Sequence, residues 1–421
     1  MECKINAKDR EYLRALAYRQ AEYAALPIMK EREENWFRLN DGKGAIPPIM
    51  IEAGSFNRDF MPESIFKFPP GPLRGMEYQL LANIRCHELI DDDRVIPDTF
   101  DIGWNVKIDE FGIKINVERV PDNQGYSMGF KVDHPIKDIK EDLKILNRAK
   151  CSVDREATYE RKTFVESIIG DILPVKIRAG VFGCMMLTGK VIELMGMEAY
   201  FMAMYDYPEE LHRLMAFLRD NALQVMRWGE KENLYTLNNR NQMGCFGSSS
   251  NFTNKLPSPG FDGKKVRLCD MWANSNSQET VGVSPELFHE FCFPYYKDVC
   301  EPLGLLYYGC CEPTHPFWGD LSRLPHLKKI SISRWCDQKF MGEALKGTGI
   351  VFSRKMDPQF IGVDVNLKEE AWAAHIKETL EAAPGVAIEF IYRDVYTVHG
   401  NLDKVKRAVK IAREVIAKHY R

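Results

Sequence analysis

The chain has 421 residues, a formal net charge of −3, 45% hydrophobic and 28% charged residues. That length fits one large barrel with insertions or two domains, and the composition is that of a soluble globular protein. The charge balance argues against a nucleic-acid binder or an anionic membrane surface as partner, and no apolar stretch approaches the eighteen or so residues of a membrane span.

The eleven cysteines are odd in number and scattered, without framework spacing. The first residues, MECKINAKDREYLRAL, carry no signal-peptide apolar region. Both point to a reducing cytoplasm and free thiols.

Residues 5–40 are charged and helix-like. Leu13, Leu16, Ala17, Ala21 and Ala24 form a partial apolar stripe, which predicts a helical arm on the surface or at a subunit contact. Residues 1–45 therefore read as an extension, and 46–421 as one domain with an insertion at about 95–150. Pro47–Gly54 is a short strand entering a glycine turn. Met76–Ile90 is an amphipathic helix, followed by the acidic run Asp91–Asp92–Asp93, expected to be a solvated loop. Trp104, Val106 and Ile108 alternate before Glu110–Phe111–Gly112, and Ile113, Ile115 and Val117 after it, which predicts a β-hairpin. Ile136–Asn147 reads as a short helix.

From residue 174 the pattern becomes strand, loop, helix. Strands are expected at Pro174–Ala179, Val266–Met271, Leu305–Tyr308, Lys329–Ser333, Gly349–Ser353 and Val386–Tyr392. Helices are expected at Glu193–Tyr205, Pro208–Gly229 and Leu367–Ala382. A further helix begins after Ser284, with Pro294 kinking it, and the last is capped by Asn401. Gln242–Asp262 reads as a long loop. Alternating strands and helices argue for parallel α/β. No GxGxxG opens a helix after a first strand and no GxxxxGK[ST] occurs. A (β/α)₈ barrel is the expected fold.

The stretch that points to chemistry is Leu305–His315, LLYYGCCEPTH. A buried-type strand ends at Gly309, and two cysteines, a glutamate and a histidine follow. Ligands bind at that end of parallel strands. Two buried thiols and a loop glutamate would be the purely structural alternative.

The chain resembles the uroporphyrinogen decarboxylase superfamily, which includes the corrinoid-dependent methyltransferases. The resemblance rests on PPIMIEAGSF, SQETVGVSPELFHEFCFPYYKDV, LYYGCCEPTHPFWGDLSRLPHLKKISISRWCD and GNLDKVKRAVKIAREVIAKHY. It implies a (β/α)₈ barrel. The decarboxylases carry arginines at the first strand to hold substrate carboxylates. Here Ile51–Glu52–Ala53–Gly54–Ser55 stands there, and Glu52 would repel an anionic porphyrin. The thiol-methylating branch carries His-x-Cys after a central strand and a lone Cys after the last strand, all on zinc. Here Gly309 replaces the His, Cys311 keeps the Cys, and Asp394 stands where the lone Cys would be. A different zinc set, Cys311 or Cys310 with Glu312 and Asp394 and with His399 close by in sequence, is one expectation, and no metal is the other.

The resemblance thus implies a methyltransferase that moves a methyl group from a small donor to the corrinoid of a partner protein. A methoxylated aromatic is the expected donor. Asp394, His399 and Glu279 are the expected catalytic groups. Tyr308, Trp272, Trp335 and Tyr392 are expected to line an aromatic substrate site. Arg354, beside Lys355, is expected to bind an anionic group. A methylcorrinoid-to-thiol or pterin methyltransferase, a decarboxylase and a non-enzymatic corrinoid or tetrapyrrole binder are the alternatives. A homodimer is expected by analogy with such relatives.

Overall fold

A computed structural model describes residues 5–120, 129–183, 185–240 and 249–420. Its strands are β1 (Ile49–Ile51), β2 (Phe100–Ile102), β3 (Asn105–Asp109), β4 (Asn116–Val120), β5 (Gly129–Asp133) and β6 (Lys150–Asp154). They continue as β7 (Val175–Ile177), β8 (Trp272–Ser275), β9 (Leu305–Tyr308), β10 (Leu327–Ile332), β11 (Val351–Lys355) and β12 (Ile388–Tyr392). Six of them form one parallel sheet in the order β1-β12-β11-β10-β9-β8. β2 and β7 form a separate parallel pair.

The sheet is strongly curved. Two strands separate β9 from β12, so their ends would stand about 14 Å apart in a flat sheet. Yet Cys311, beyond β9, reaches Asp394, beyond β12, at 3.0 Å. The arrangement is a parallel half-barrel, with helices outside it. Among the described residues its ladder does not run through all eight positions of a closed barrel.

Side chains and loop backbone fill the seams. Asp93 accepts from Ile49 N at 2.7 Å and returns its own N–H to Ile49 O, while Asp92 accepts from Ile51 N at 2.9 Å. On the far side Thr236 N donates to Ala179 O, and the Asn238 amide exchanges two bonds with the Trp272 backbone at 2.8 Å each. The acidic run is therefore no solvated loop. Asp92 is 1% exposed and completes the edge of β1, because a buried strand edge must find partners for its N–H groups.

Other expectations shift in similar ways. The first helix, Ala7–Ala24, buries Leu13, Leu16 and Ala17 against Met76, Leu80, Val165 and Ile168, in a second core around β2 and β7. It is part of the packed body and not an arm. The residues expected to pair as a hairpin separate: β3 pairs with β6 and β4 with β5, both antiparallel. The strand expected from Val266 begins only at Trp272. The Asp270 carboxylate takes the backbone N–H of Arg267 and Ser258, which holds a 3₁₀ turn there instead. Gly196, at φ 85°, splits the expected helix over 193–205 into Leu187–Met195 and Met197–Asp206. The Ser284 and Asn401 caps form as expected. Around Pro294 the chain is broken, not kinked, into Pro285–Phe291 and Phe293–Cys300. Most of the loop expected at 242–262 is irregular, and residues 241–248 lie outside the described residues. No helix among the described residues is long and apolar enough to cross a membrane.

The two faces of the sheet differ. On the outer face Tyr308 meets Tyr296, and Tyr392 meets Trp372, both from surrounding helices. On the inner face Lys329 of β10 and Glu389 of β12 form an ion pair at 2.7 Å, with the two side chains 1% and 0% exposed. Ser249 bonds both, at 2.6 and 2.7 Å. Breaking a buried pair from one side costs about 3–5 kcal/mol, because the other charge is left uncompensated. Lys329→Met should therefore lower the urea midpoint severely, and Lys329→Met with Glu389→Leu should regain most of the loss. Asp92→Ala leaves the buried Ile51 N–H without a partner and should cost about 1–3 kcal/mol at unchanged m-value.

Candidate active site

The C-terminal ends of β1, β9, β11 and β12 converge. Beyond β9, Gly309 adopts φ 95°, and a Cβ there would stand 2.9 Å from Ser331 Cβ and 3.2 Å from Thr314 Cγ2. Only glycine turns the chain so tightly against β10. The turn presents Cys310 and Cys311 together, with their sulfurs 3.5 Å apart. The Cys311 thiol donates to Asp394 Oδ2 at 3.0 Å. Asp394 is exposed and sits at φ 61° beyond β12. Arg393 Nε lies 3.3 Å from Asp394 and 3.6 Å from Glu52, beyond β1, and Ser55 donates to Glu52 at 2.6 Å. The result is a chain of charges and thiols across the curved rim.

Electrostatics follow from this crowding. The bond between the thiols lowers Cys310 and raises Cys311, and Asp394 adds to the rise of Cys311. Burial works against the Arg393 charge, and Cys310, Glu52 and Asp394 more than offset it. Lys355, the last residue of β11, places its ammonium 5.0 Å from the centre of the Tyr307 ring. Burial pushes it down to about 8 and Arg393 adds to the shift, against Glu389, Cys310 and Glu52.

A second cluster adjoins the first. Glu312 is 1% exposed, and its two oxygens accept from Ser277 N at 3.1 Å and Cys310 N at 2.9 Å. It ties the turn after β8 to the turn after β9. Burial raises its carboxyl against those two bonds. Ser277 bonds Tyr308 at 2.7 Å, and Thr188 donates to Glu279 at 2.8 Å and meets Tyr296 at 2.9 Å. A separate cavity of 590 Å³, lined by none of these residues, lies between the β3–β4 connection carrying Phe111, Ile113 and Ile115 and the segment carrying Met186, Lys190 and Glu193. Its size suits a small organic ligand.

The structure sorts the expected residues. It brings together Cys310, Cys311 and Asp394. Glu312 stands beside them but is spent on backbone amides, and Glu279 is bonded by Thr188 in the adjoining cluster. The ring of His399 pairs with Val363 O at 3.1 Å and takes no part in the thiol–carboxylate chain. Tyr392 faces the helices, where it accepts from Ile361 N at 2.9 Å. Arg354 also points outward, donating to the carbonyls of Ile332 and Ser333, and burial pushes its guanidinium down to about 10. Strand alternation puts Lys355, not Arg354, on the inner face. Tyr308 lies on the outer face. Trp272 begins β8, at the end of the strand away from the thiols, with its ring 5.9 Å from Lys329 Nζ. Trp335 is 65% exposed on the rim, with Arg334 over its ring at 4.4 Å. Arg393 was missed by sequence reasoning; its place one residue past the last strand is the signal that would have found it.

As a zinc site the arrangement is poor. Glu312 holds backbone amides and His399 is bonded to Val363 O, so neither faces the thiols as a ligand. Among the described residues no group of three or more His, Cys, Asp or Glu is placed to hold a metal ion.

No family model matches the chain. No curated protein matches it either. Among solved structures, a methyltransferase from Methanosarcina mazei is similar over 91% of this chain and 98% of its own, at 12% identity and a TM-score of 0.49.

Proposed function

We propose that this chain is a methyltransferase that takes a methyl group from a methoxylated aromatic and passes it to a Co(I) corrinoid carried by a partner protein. The observation that carries the reading is the meeting of Lys355 and Arg393 with the dithiol and Asp394 at the ends of the strands. Ether cleavage leaves the bonding pair on oxygen, and a phenolate or alkoxide leaves poorly unless its charge is met. Arg393 supplies a fixed positive charge. Lys355 holds a proton at Nζ with an affinity suited to delivering it near neutral pH. The corrinoid supplies the nucleophile that accepts the methyl group. An exposed rim with Trp335 and Tyr396, 65% and 57% exposed, leaves room for a partner-borne group to approach.

The test mixes the chain with reduced corrinoid protein and a panel of methoxybenzenes and methylamines, and follows the methyl–cobalt absorption band. Transfer from one ether is the expected result, with an alkaline limb near pH 8 that is lost in Lys355→Met. That variant should lose about 100-fold in kcat with little change in KM. Zinc that copurifies and vanishes in Cys311→Ala or Asp394→Ala would replace proton delivery by metal activation. Transfer only in reverse, onto a thiol or pterin, would overturn the demethylation reading.

A further inference from the structure

The dithiol has a property that methyl transfer does not need. Cys310 and Cys311 are neighbours in sequence and their sulfurs stand 3.5 Å apart, both partly exposed at the rim. Of the other free cysteines described, Cys86, Cys292, Cys300 and Cys336 are buried. The pair needs to close by about 1.5 Å to reach bonding distance, which also breaks the bond of Cys311 to Asp394. Adjacent Cα atoms are about 3.8 Å apart, short of the usual disulfide range of roughly 4.4–6.8 Å, so the eight-membered ring is strained. Strained, exposed disulfides are the easily reduced ones that serve as reversible modifications and not as structural bonds.

We propose that Cys310 and Cys311 form a reversible vicinal disulfide by exchange with a low-molecular-weight disulfide. One cysteine thiolate attacks a sulfur of RSSR, an S–S bond forms to the protein, and RS⁻ leaves. The neighbouring thiolate then attacks the protein sulfur of that mixed disulfide, and the second RS⁻ leaves. Two protein thiols and RSSR thus become one protein disulfide and two RSH, with the two thiol protons carried off on the leaving sulfurs. Oxidation also removes the hydrogen that joins Cys311 to Asp394, so the strand-end chain opens. Insofar as the methyltransferase reading holds, the disulfide is an off-switch for that site.

The experiment uses the whole chain and glutathione disulfide. After alkylation of remaining thiols, peptide mass mapping should find the peptide carrying both cysteines lighter by two hydrogens, unalkylated, and restored by dithiothreitol. Cys310→Ser and Cys311→Ser should each stop at a stable glutathionyl adduct on the remaining cysteine. Recovery of both cysteines fully alkylated, or a persistent glutathionyl adduct in the unaltered chain, would overturn the proposal. The mass readout needs neither methyl donor nor corrinoid. A disulfide in a chain that never transfers a methyl group therefore sinks only the function, and an active chain whose thiols stay reduced sinks only the switch. In an active chain the oxidised form should lose transfer by about 100-fold and regain it on reduction.

Discussion

The ion pair of Lys329 with Glu389 is the constraint on which the interior depends. Two charges taken fully out of water cost several kcal/mol each, and only close, well-bonded geometry offsets that. The geometry here joins β10 to β12 and draws in the backbone and hydroxyl groups of the segment at Ser249 and Ser250. Trp36 of the second helix, Pro27–Asp41, lies 5.3 Å from the same ammonium. Sheet, loop and N-terminal helix thus meet at one charge. Glu389 also faces Lys355, but its close partner is Lys329. Burial of the Lys355 ammonium is therefore only partly offset, which is the origin of its low proton affinity.

Above that floor, curvature and backbone strain position the reactive groups. The curled sheet lets side chains from strands two places removed touch. Gly309 and Asp394 both hold positive φ, and each aims its segment inward from a strand end. Glu312 then fixes the dithiol turn by gripping its backbone, which explains a buried carboxylate so near the rim. A group that looks like chemistry in the sequence is here a brace.

Much of the fold was legible because buried parallel strands announce themselves as apolar runs. Leu305–Tyr308 and Ile388–Tyr392 lie where the sequence places them, and so do the helix caps at Ser284 and Asn401. What failed were judgements about polar residues whose partners are distant in sequence. Asp92 and Asp93 looked like a solvated run, yet they complete β1, forty residues back. The ribbon partners of β3 and β4 depended on register across an insertion, which alternation alone does not fix. At the site the types of residue were legible and their directions less so. A one-residue step along β11 separates outward Arg354 from inward Lys355. His399 was drawn in by its closeness in sequence to Asp394 and Tyr392 as an aromatic at the expected mouth, and both turned out to serve the helix layer. Arg393, between Tyr392 and Asp394 in sequence, has the more central place.

The pairing of β1 with β12 has a consequence for how the molecule comes into being. Among the described residues, Ile49, Met50 and Ile51 find their ladder partners in Phe390, Ile391 and Tyr392. During synthesis the first strand emerges long before the last, and contacts so far apart in sequence form slowly. Until then its outer edge has Asp92 and Asp93 as local partners, while the other edge waits open. The acidic clasp thus acts on the nascent chain as a temporary guard, holding one side of an apolar strand until the emergence of β12 supplies the other.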